Sequence, residues 1–340
     1  MSISDTDKNK MIDASSGISP LGPSRRVKSE LRKAIKSINS FPGPAIKKLS
    51  KFFLSKHDID ENRIIFGNSI YEMLSVITSV LKPKKALIAG PALGIYGSAL
   101  SACGAGIDHL VFSEKTGFNI DTEALMEAAG NADIVFISNP NRVTGRLYDR
   151  KTLYETLSHI KAPVVLDESL VEFTSDDGFI LNHDNIIVLR STVFFYGMPG
   201  LETAYAVSSA PVTEKISKGM VCEINTPAAA AARAALKDKI YKKTTKDFIN
   251  NEKNIIMRFL KKNSGIISYS SDSNMFLLKI EKNSNKLYDL LRKEGFLISN
   301  CSDIHGLGKD FLRFSVMKHG YNKKFIKILS GFCQNIVADL

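Results

Sequence analysis

Short runs of β-branched and aliphatic residues, each closing on Gly, Pro or a polar turn, alternate through the middle of the chain with longer stretches whose apolar positions recur at helical spacing. The runs Arg63 to Phe66, Lys85 to Ala89, Ile107 to Val111, Ile134 to Ser138, Val164 to Asp167, Ile186 to Arg190 and Ala204 to Val207 predict strands. Continuous apolar strings such as IVFIS and VVLD are what strands covered on both faces look like, as in a parallel sheet. The alternation places the chain in the α/β class, in which ligands bind outside the carboxyl ends of the strands. After about residue 212 the pattern changes to helices rich in Ala and Lys, and the Ala run at 228–235 reads as helix. The last hundred or so residues interleave strands at Met275 to Ile280, Phe296 to Ser299 and Phe311 to Val316 with helices at Ser284 to Glu294 and Asn322 to Ala338, a compact α+β unit.

With 340 residues, 44% hydrophobic and 24% charged, the chain can bury one large core and a smaller companion. The formal charge of +11 favours anionic partners such as phosphorylated metabolites or nucleic acid. In the helical passage from 228 to 262, however, the Lys residues are interspersed with acids and Asn and no aromatic stacking platform accompanies them. They read as a solvated face, and nucleic acid is not an expected partner. Cys103, Cys222, Cys301 and Cys333 lie far apart without metal-ligand spacing, so the expectation is reduced thiols and no metal. The first fourteen residues lack the apolar core of a signal peptide, and no stretch reaches eighteen uncharged apolar residues. A soluble cytoplasmic protein with no membrane contact is expected.

Eight strings in order resemble those of one enzyme family. SPLGP (Ser19 to Pro23) resembles the family's NPLGP, FPGP (Phe41 to Pro44) its YPDP, and GNSIYE (Gly67 to Glu72) its GNGSTE. GPALGIY (Gly90 to Tyr96) is similar to PTFSEY, NPNRVTG (Asn139 to Gly145) to NPNNPTG, and VVLDESLVEF (Val164 to Phe173) to VVDEAFIDF. RSTVFFYGMPGLETAYAV (Arg190 to Val207) resembles RSLTKFFGLPGLRLGYAV, and NCSDIHGLGKDFLRFSV (Asn300 to Val316) resembles DCSSFPGLGERFLRVAV. The family that these strings resemble is the class I/II aminotransferases, the fold type I enzymes that use pyridoxal phosphate (PLP), and the resemblance is strongest to threonine-phosphate decarboxylases of cobalamin biosynthesis and to histidinol-phosphate aminotransferases. It implies a PLP-transferase-like fold: a large domain over residues 46–235 with a mainly parallel seven-stranded sheet, a small domain over 236–340 joined by the N-terminal segment 1–45, a cleft between them, and a homodimer.

PLP chemistry needs a lysine to carry the cofactor, a carboxylate to hold the pyridine nitrogen protonated, and donors around the phosphate. At the position where the resemblance places the lysine this chain has Phe194, and no lysine occurs between Lys161 and Lys215. The phosphate arginine of the family is Glu202 here, the glycine and hydroxyl residue of its phosphate loop are Ser69 and Ile70, and the tyrosine that reaches across its dimer is Phe41. The ring asparagine is Arg142. By the same resemblance Ser191 remains from the phosphate ligands, Asp167 matches the carboxylate at the pyridine nitrogen, Tyr96 the aromatic that stacks on the ring, and Arg313 the arginine that grips the substrate carboxylate. Asp167 and Tyr96 read equally well as remnants, an Asp capping the turn after a strand and a Tyr packed under a helix. Asn139 and Asn141 read as turn-shaping residues, with Asn141 also a candidate substrate contact beside Arg142, and Arg313 has the alternative of a surface ion pair.

Two functions fit this pattern. The first is a degenerate family member, a pseudoenzyme or a protein that binds a small anionic metabolite, with Arg142 and Arg313 at the mouth of the cleft and no PLP held as a lysine aldimine. The second is a transaminase- or decarboxylase-type enzyme of amino-acid-derived metabolism that holds PLP non-covalently or works by an unrelated mechanism. His305, where the family has proline, is then the candidate proton carrier, with Cys301 in the same loop a candidate nucleophile beside it.

Overall fold

A computed structural model describes residues 11–175, 183–263, 265–281 and 283–338, with the side chains of 335–338 left aside. Residues 1–10 of the expected N-terminal segment lie outside the described residues. The described residues begin with a two-residue strand, Ile12–Asp13 (β1), and two helices, Arg25–Ala34 (α1) and Gly43–His57 (α2). Strands and helices then alternate: Ile64–Gly67 (β2), Ile70–Leu81 (α3), Lys85–Gly90 (β3), Ile95–Ala102 (α4), Gly106–Val111 (β4), Thr122–Ala129 (α5), Ile134–Ser138 (β5), Arg150–Ser158 (α6) and Val164–Asp167 (β6). Ile186–Ser191 (β7), Val193–Tyr196 (α7) and Ala204–Val207 (β8) follow, then Ala210–Gly219 (α8), Thr226–Leu236 (α9) and Lys239–Leu260 (α10). The remainder is Ile267–Ser268 (β9), Met275–Lys279 (β10), Ser284–Lys293 (α11), Phe296–Leu297 (β11), Ser299–Asn300 (β12), Phe311–Ser315 (β13) and His319–Ala338 (α12).

Seven strands form one sheet in the order β2-β8-β7-β6-β5-β3-β4. β8 runs antiparallel to both its neighbours and every other pairing is parallel, as the resemblance implies. The continuous apolar runs have a direct cause. Ile88, Phe136, Val165 and Ile187 point to one face, where Met73 and Leu74 of α3, Leu100 of α4 and Ile216 of α8 cover them. Leu87, Val135, Leu166 and Val188 point to the other, under Leu125 of α5 and Leu153 and Leu157 of α6. Polar side chains have no solvated face to occupy on such strands, so the strings lose their alternation.

The C-terminal residues build a four-stranded antiparallel sheet, β12-β13-β10-β9, backed by α11 and α12. The single strand expected at Phe296 to Ser299 is divided in two by the structure. Phe296 and Leu297 pair in parallel with Ile12 and Asp13, whereas Ser299 and Asn300 pair antiparallel with Arg313 and Leu312. Among the described residues no helix is long and apolar enough to cross a membrane, and no group of three or more His, Cys, Asp or Glu is placed to hold a metal.

The end of α2 carries a pH-sensitive group. His57 is half-buried, and its imidazole is pushed down to about 4 by burial, reinforced by the charges of Lys56, Arg190 and Lys242. An unfolded chain takes up this proton near the ordinary value of about 6.5. Between those limits the unfolded state binds more protons, so the stabilisation is complete above pH 6.5 and is lost as pH falls toward 4. Urea midpoints measured across this window should decline more for the native chain than for His57→Gln. Parallel declines would show that His57 contributes nothing.

Candidate functional site

The carboxyl ends of β5, β6 and β7 lie side by side, with Ser138 opposite Asp167 and Asp167 opposite Leu189. The three connections leaving them carry most of the singled-out residues. β5 runs into the turn 139–145, β6 ends on Asp167, and β7 ends on Ser191 just before the single helical turn α7, which holds Phe194. The turn 139–145 is fixed from within. Asn141 Oδ1 accepts from the backbone N–H groups of Val143 (2.9 Å) and Thr144 (3.0 Å), and Asn139 Oδ1 accepts from that of Tyr148 (2.8 Å). Gly145 closes the turn at φ +77, where a Cβ would lie 2.6 Å from the Met275 carbonyl oxygen and would collide with Ser271 Oγ, so only glycine fits. Asn139 and Asn141 thus shape the turn, and Asn141 Nδ2 also ties it to the Pro91 carbonyl oxygen at 2.9 Å.

Asp167 is the centre of the site and is fully buried. The Tyr96 hydroxyl donates to its Oδ2 at 2.6 Å, and Arg142 Nη1 reaches the same oxygen at 3.4 Å. Its Oδ1 accepts from the Ser169 backbone N–H at 2.9 Å and from the Ser169 hydroxyl. Arg142 in turn lies against Phe194, its guanidinium carbon 4.7 Å from the ring centroid, a cation–π contact inside the protein. Tyr96 does not present a free ring face; it is 1% exposed, and its ring packs 5.7 Å from that of Phe136. Burial, then the Asp167 charge, hold the Tyr96 phenol well above its ordinary range, so it stays protonated and donates. For Arg142 burial acts to lower the pKa, but Asp167 and the tyrosines Tyr96 and Tyr71 outweigh it and raise the value, so the guanidinium stays charged.

Arg313, on β13, approaches from the C-terminal sheet. Its Nη1 donates to the Arg142 carbonyl oxygen at 2.8 Å, and its Nη2 donates to the Ser15 carbonyl oxygen at 2.9 Å and to Ser299 Oγ at 3.2 Å. Its Nε is buried without a partner. Burial is the main reason its guanidinium is pushed down to about 10, with Arg142 adding to the effect. Expectation and structure differ here. Arg142 and Arg313 are 7% and 9% exposed, so they lie beneath the surface and not at a cleft mouth, and Arg313 forms no surface ion pair among the described residues. A short polar turn and a strand bring two cations together at depth, where Arg313 donates to backbone carbonyls and Arg142 pairs with Asp167.

The other candidates are more dispersed. Ser191 is buried, and its Oγ accepts from the Val193 N–H at 3.1 Å, at the start of the turn that carries Phe194. Burial raises the carboxyl of half-buried Glu202. His305 stacks on His109 of edge strand β4, ring centroids 4.2 Å apart, beside a cavity of about 460 Å³ that Gly94, Gly97 and Asp303 also line. Neither His305 nor that cavity touches Asp167, Arg142 or Phe194. Cys301 is fully buried and its thiol is pushed up to about 12, chiefly by burial, which removes it as a nucleophile. Ser169 was not singled out from the sequence. An Asp two residues before a Ser at a strand end is the signal, because such an Asp accepts from the N–H two residues on.

Comparison with known proteins bears on this geometry. A family model described as aminotransferase class I and II matches residues 9–329. Threonine-phosphate decarboxylase from Salmonella typhimurium (strain LT2) is 28% identical over 338 residues, spanning 96% of this chain and 93% of that protein. Histidinol-phosphate aminotransferase 2 from Archaeoglobus fulgidus is 29% identical over 330 residues, spanning 96% and 94%. Among solved structures, the histidinol-phosphate aminotransferase from Clostridium acetobutylicum superposes with a TM-score of 0.87 at 27% identity, covering 96% of this chain and 100% of that one.

Proposed function

Because the chain belongs to the class I and II aminotransferase family, we propose that it is a member whose site no longer takes PLP as a lysine-bound cofactor and instead binds a small anion through Arg313 and Arg142. The observation that carries the proposal is the guanidinium of Arg142 on Asp167, beneath the ring of Phe194. The residues present do not fit the cofactor held in the family's manner. A protonated pyridine nitrogen needs a carboxylate oxygen of its own. The Asp167 oxygen turned toward the site already takes the Tyr96 hydroxyl and the Arg142 guanidinium, so a pyridinium would arrive as a second cation. Phe194 offers no amine at the position that the family's pattern reserves for lysine. Glu202, matched to the phosphate arginine, would set like charges against each other.

The preferred ligand is a small α-carboxylate, such as an amino acid or its O-phosphate, a choice that the name of the threonine-phosphate decarboxylase relative suggests. Arg313 supports this choice. It is a buried guanidinium with an unpartnered Nε and no carboxylate partner among the described residues. Titration calorimetry with O-phospho-L-threonine and with L-threonine should give saturable binding that Arg313→Met weakens by at least about tenfold, the scale of a lost charge-assisted pair. Saturable binding that Arg313→Met leaves unchanged would contradict the assignment, as would no binding of either compound.

A second reading has one observation in its favour. Tyr96 and Asp167 remain in contact at 2.6 Å with Ser191 near the same strand ends, so a non-covalently held PLP would find part of its old surroundings. Saturable PLP binding without a lysine adduct would favour this alternative. The homodimer implied by the resemblance is likewise a proposal, and sedimentation velocity tests it directly.

A further inference from the structure

Two imidazoles face each other where the two sheet units meet. His109 lies on β4, an edge of the seven-stranded sheet, and His305 lies in the connection 301–310 between β12 and β13 of the four-stranded sheet. Their rings are stacked, with centroids 4.2 Å and planes 16° apart. A stack this close suits neutral rings, because two imidazolium ions at that distance would repel each other. Both residues are exposed and border a cavity of about 460 Å³, so solvent protons reach them. β4 is also the edge opposite β2, whose Phe66 packs on Phe53 of α2. The pair therefore stands at the far side of the sheet from the helix that follows Phe41, the residue that the resemblance associates with the dimer contact.

The connection is held on β4 by little else. Every hydrogen bond that residues 301–309 make among the described residues stays within the C-terminal unit. The Cys301 N–H donates to the Phe311 carbonyl oxygen, that of Ile304 to Cys301, that of Leu307 to Ile304, and the Ser302 N–H to Asn300 Oδ1. Gly306, at φ +78, comes so close to β4 that a Cβ there would lie 2.5 Å from a methyl carbon of Val111. Ile304 and Leu307 pack against the apolar cluster that joins Phe118 and Val143 to Tyr269 and Phe311. No hydrogen bond ties the connection to the strand, and the ring stack is its one contact there between groups that can change charge.

We propose that His109 and His305 form a proton-sensitive clasp between the two units, closed while both rings are neutral and opened when the pair takes up protons. Partial burial, then the charge of His305, holds the His109 imidazole below its ordinary value, and Asp108 opposes the shift. Opening relieves the first two effects, so the open form binds more protons. The clasp is firm above the ordinary imidazole value of about 6.5 and weakens as pH falls below it. Two carboxylates lie nearby: Asp108 precedes His109 on β4, and Asp303 lines the same cavity with its Oδ1 accepting from Ser302 Oγ at 2.8 Å. Among the described residues neither forms an ion pair with either imidazole. From β3 and α4 the cavity receives Ile88 and Gly97, neither of which titrates.

The clasp fastens together the two sources of the buried site. On one side the connection follows Ser299, whose Oγ accepts from Arg313, and leads into β13, which carries Arg313 itself. On the other side Leu93, packed against the same apolar cluster as Ile304 and Leu307, stands just before the helix of Tyr96. His305 then acts on the fit of the two units and not on the Asp167 group, which it does not touch.

Hydrogen exchange read by mass spectrometry tests the clasp on the full chain at pH 7.5 and 5.5, with rates expressed as protection factors so that the intrinsic chemistry of exchange cancels. The peptide spanning 301–307 should lose protection by at least about threefold at the lower pH, while β5 stays unchanged. His109→Phe and His305→Phe keep a flat ring in the stack without its charge, and each should hold the connection protected at both pH values. Equal protection of the native connection at both pH values overturns the proposal. So does an undiminished loss in either variant, which assigns the proton to another group such as Asp303. NMR titration of the ring carbon-bound protons gives a second measure: the two imidazoles should titrate as a coupled pair, and removing either should raise the value of the other. A remaining histidine whose titration is unchanged in both variants contradicts the clasp.

Discussion

Asp167→Ala should destabilise the protein by about 3–5 kcal/mol, the cost of leaving a buried cation without its partner. The substitution removes the carboxylate that Arg142 Nη1 reaches at 3.4 Å and strands the Tyr96 hydroxyl and the Ser169 N–H in the same step. No other carboxylate among the described residues forms an ion pair with Arg142, which is 7% exposed and faces the ring of Phe194 on one side. Pairing the change with Arg142→Met should recover a substantial part of the loss, because a buried ion pair exchanged for apolar atoms of similar volume is often close to neutral. The coupling between the two substitutions, from urea unfolding of the four chains at pH 7, measures the interaction itself. Additive losses, or a single-variant loss below about 1 kcal/mol, would mean that Asp167 is not held by Arg142.

The second large effect is a gain. Phe194→Lys, Glu202→Arg and Arg142→Asn together should give a chain that binds PLP saturably and develops a new absorbance band reducible by borohydride. Each change answers one misfit: an amine where there is a phenyl ring, a cation where the resemblance places the phosphate arginine and this chain has Glu202, and a neutral amide in place of the guanidinium on Asp167. Phe194→Lys alone should fall well short, because the new amine would sit beside Arg142, a second cation that disfavours a charged neighbour. If the triple variant folds but gains nothing over the single one, then Arg142 and Glu202 are not what separates this site from its relatives.

Much of the architecture was legible because the central strands of the seven-stranded sheet are buried on both faces, and a strand such as IVFIS is apolar up to its closing serine. What stayed hidden was set by distant partners. Phe296 to Ser299 reads locally as one strand, yet its halves belong to different sheets because Ile12 and Asp13 claim the first and Phe311–Ser315 the second. Local pattern holds no record of such pairings. The same holds in the site. The sequence contained Arg142, Asp167 and Phe194 as three separate departures or remnants, but their stacking and ion pairing depend on the turn 139–145 folding back over β6. The formal charge of +11 likewise says nothing of where the cations gather. The passage from 228 to 262 is the longer charged run, yet residues 25–56 hold the larger local excess of Lys and Arg over acids.

The most direct test of the central claim is borohydride reduction of the native chain equilibrated with an excess of PLP, followed by peptide mapping. The expected result is no lysine labelled in one-to-one stoichiometry and no saturable band in the imine region of the absorbance spectrum. One lysine labelled stoichiometrically, with labelling blocked by an amino-acid substrate, would contradict the account, because it would mean that another lysine reaches the Asp167 site and that the cofactor chemistry of the family survives there.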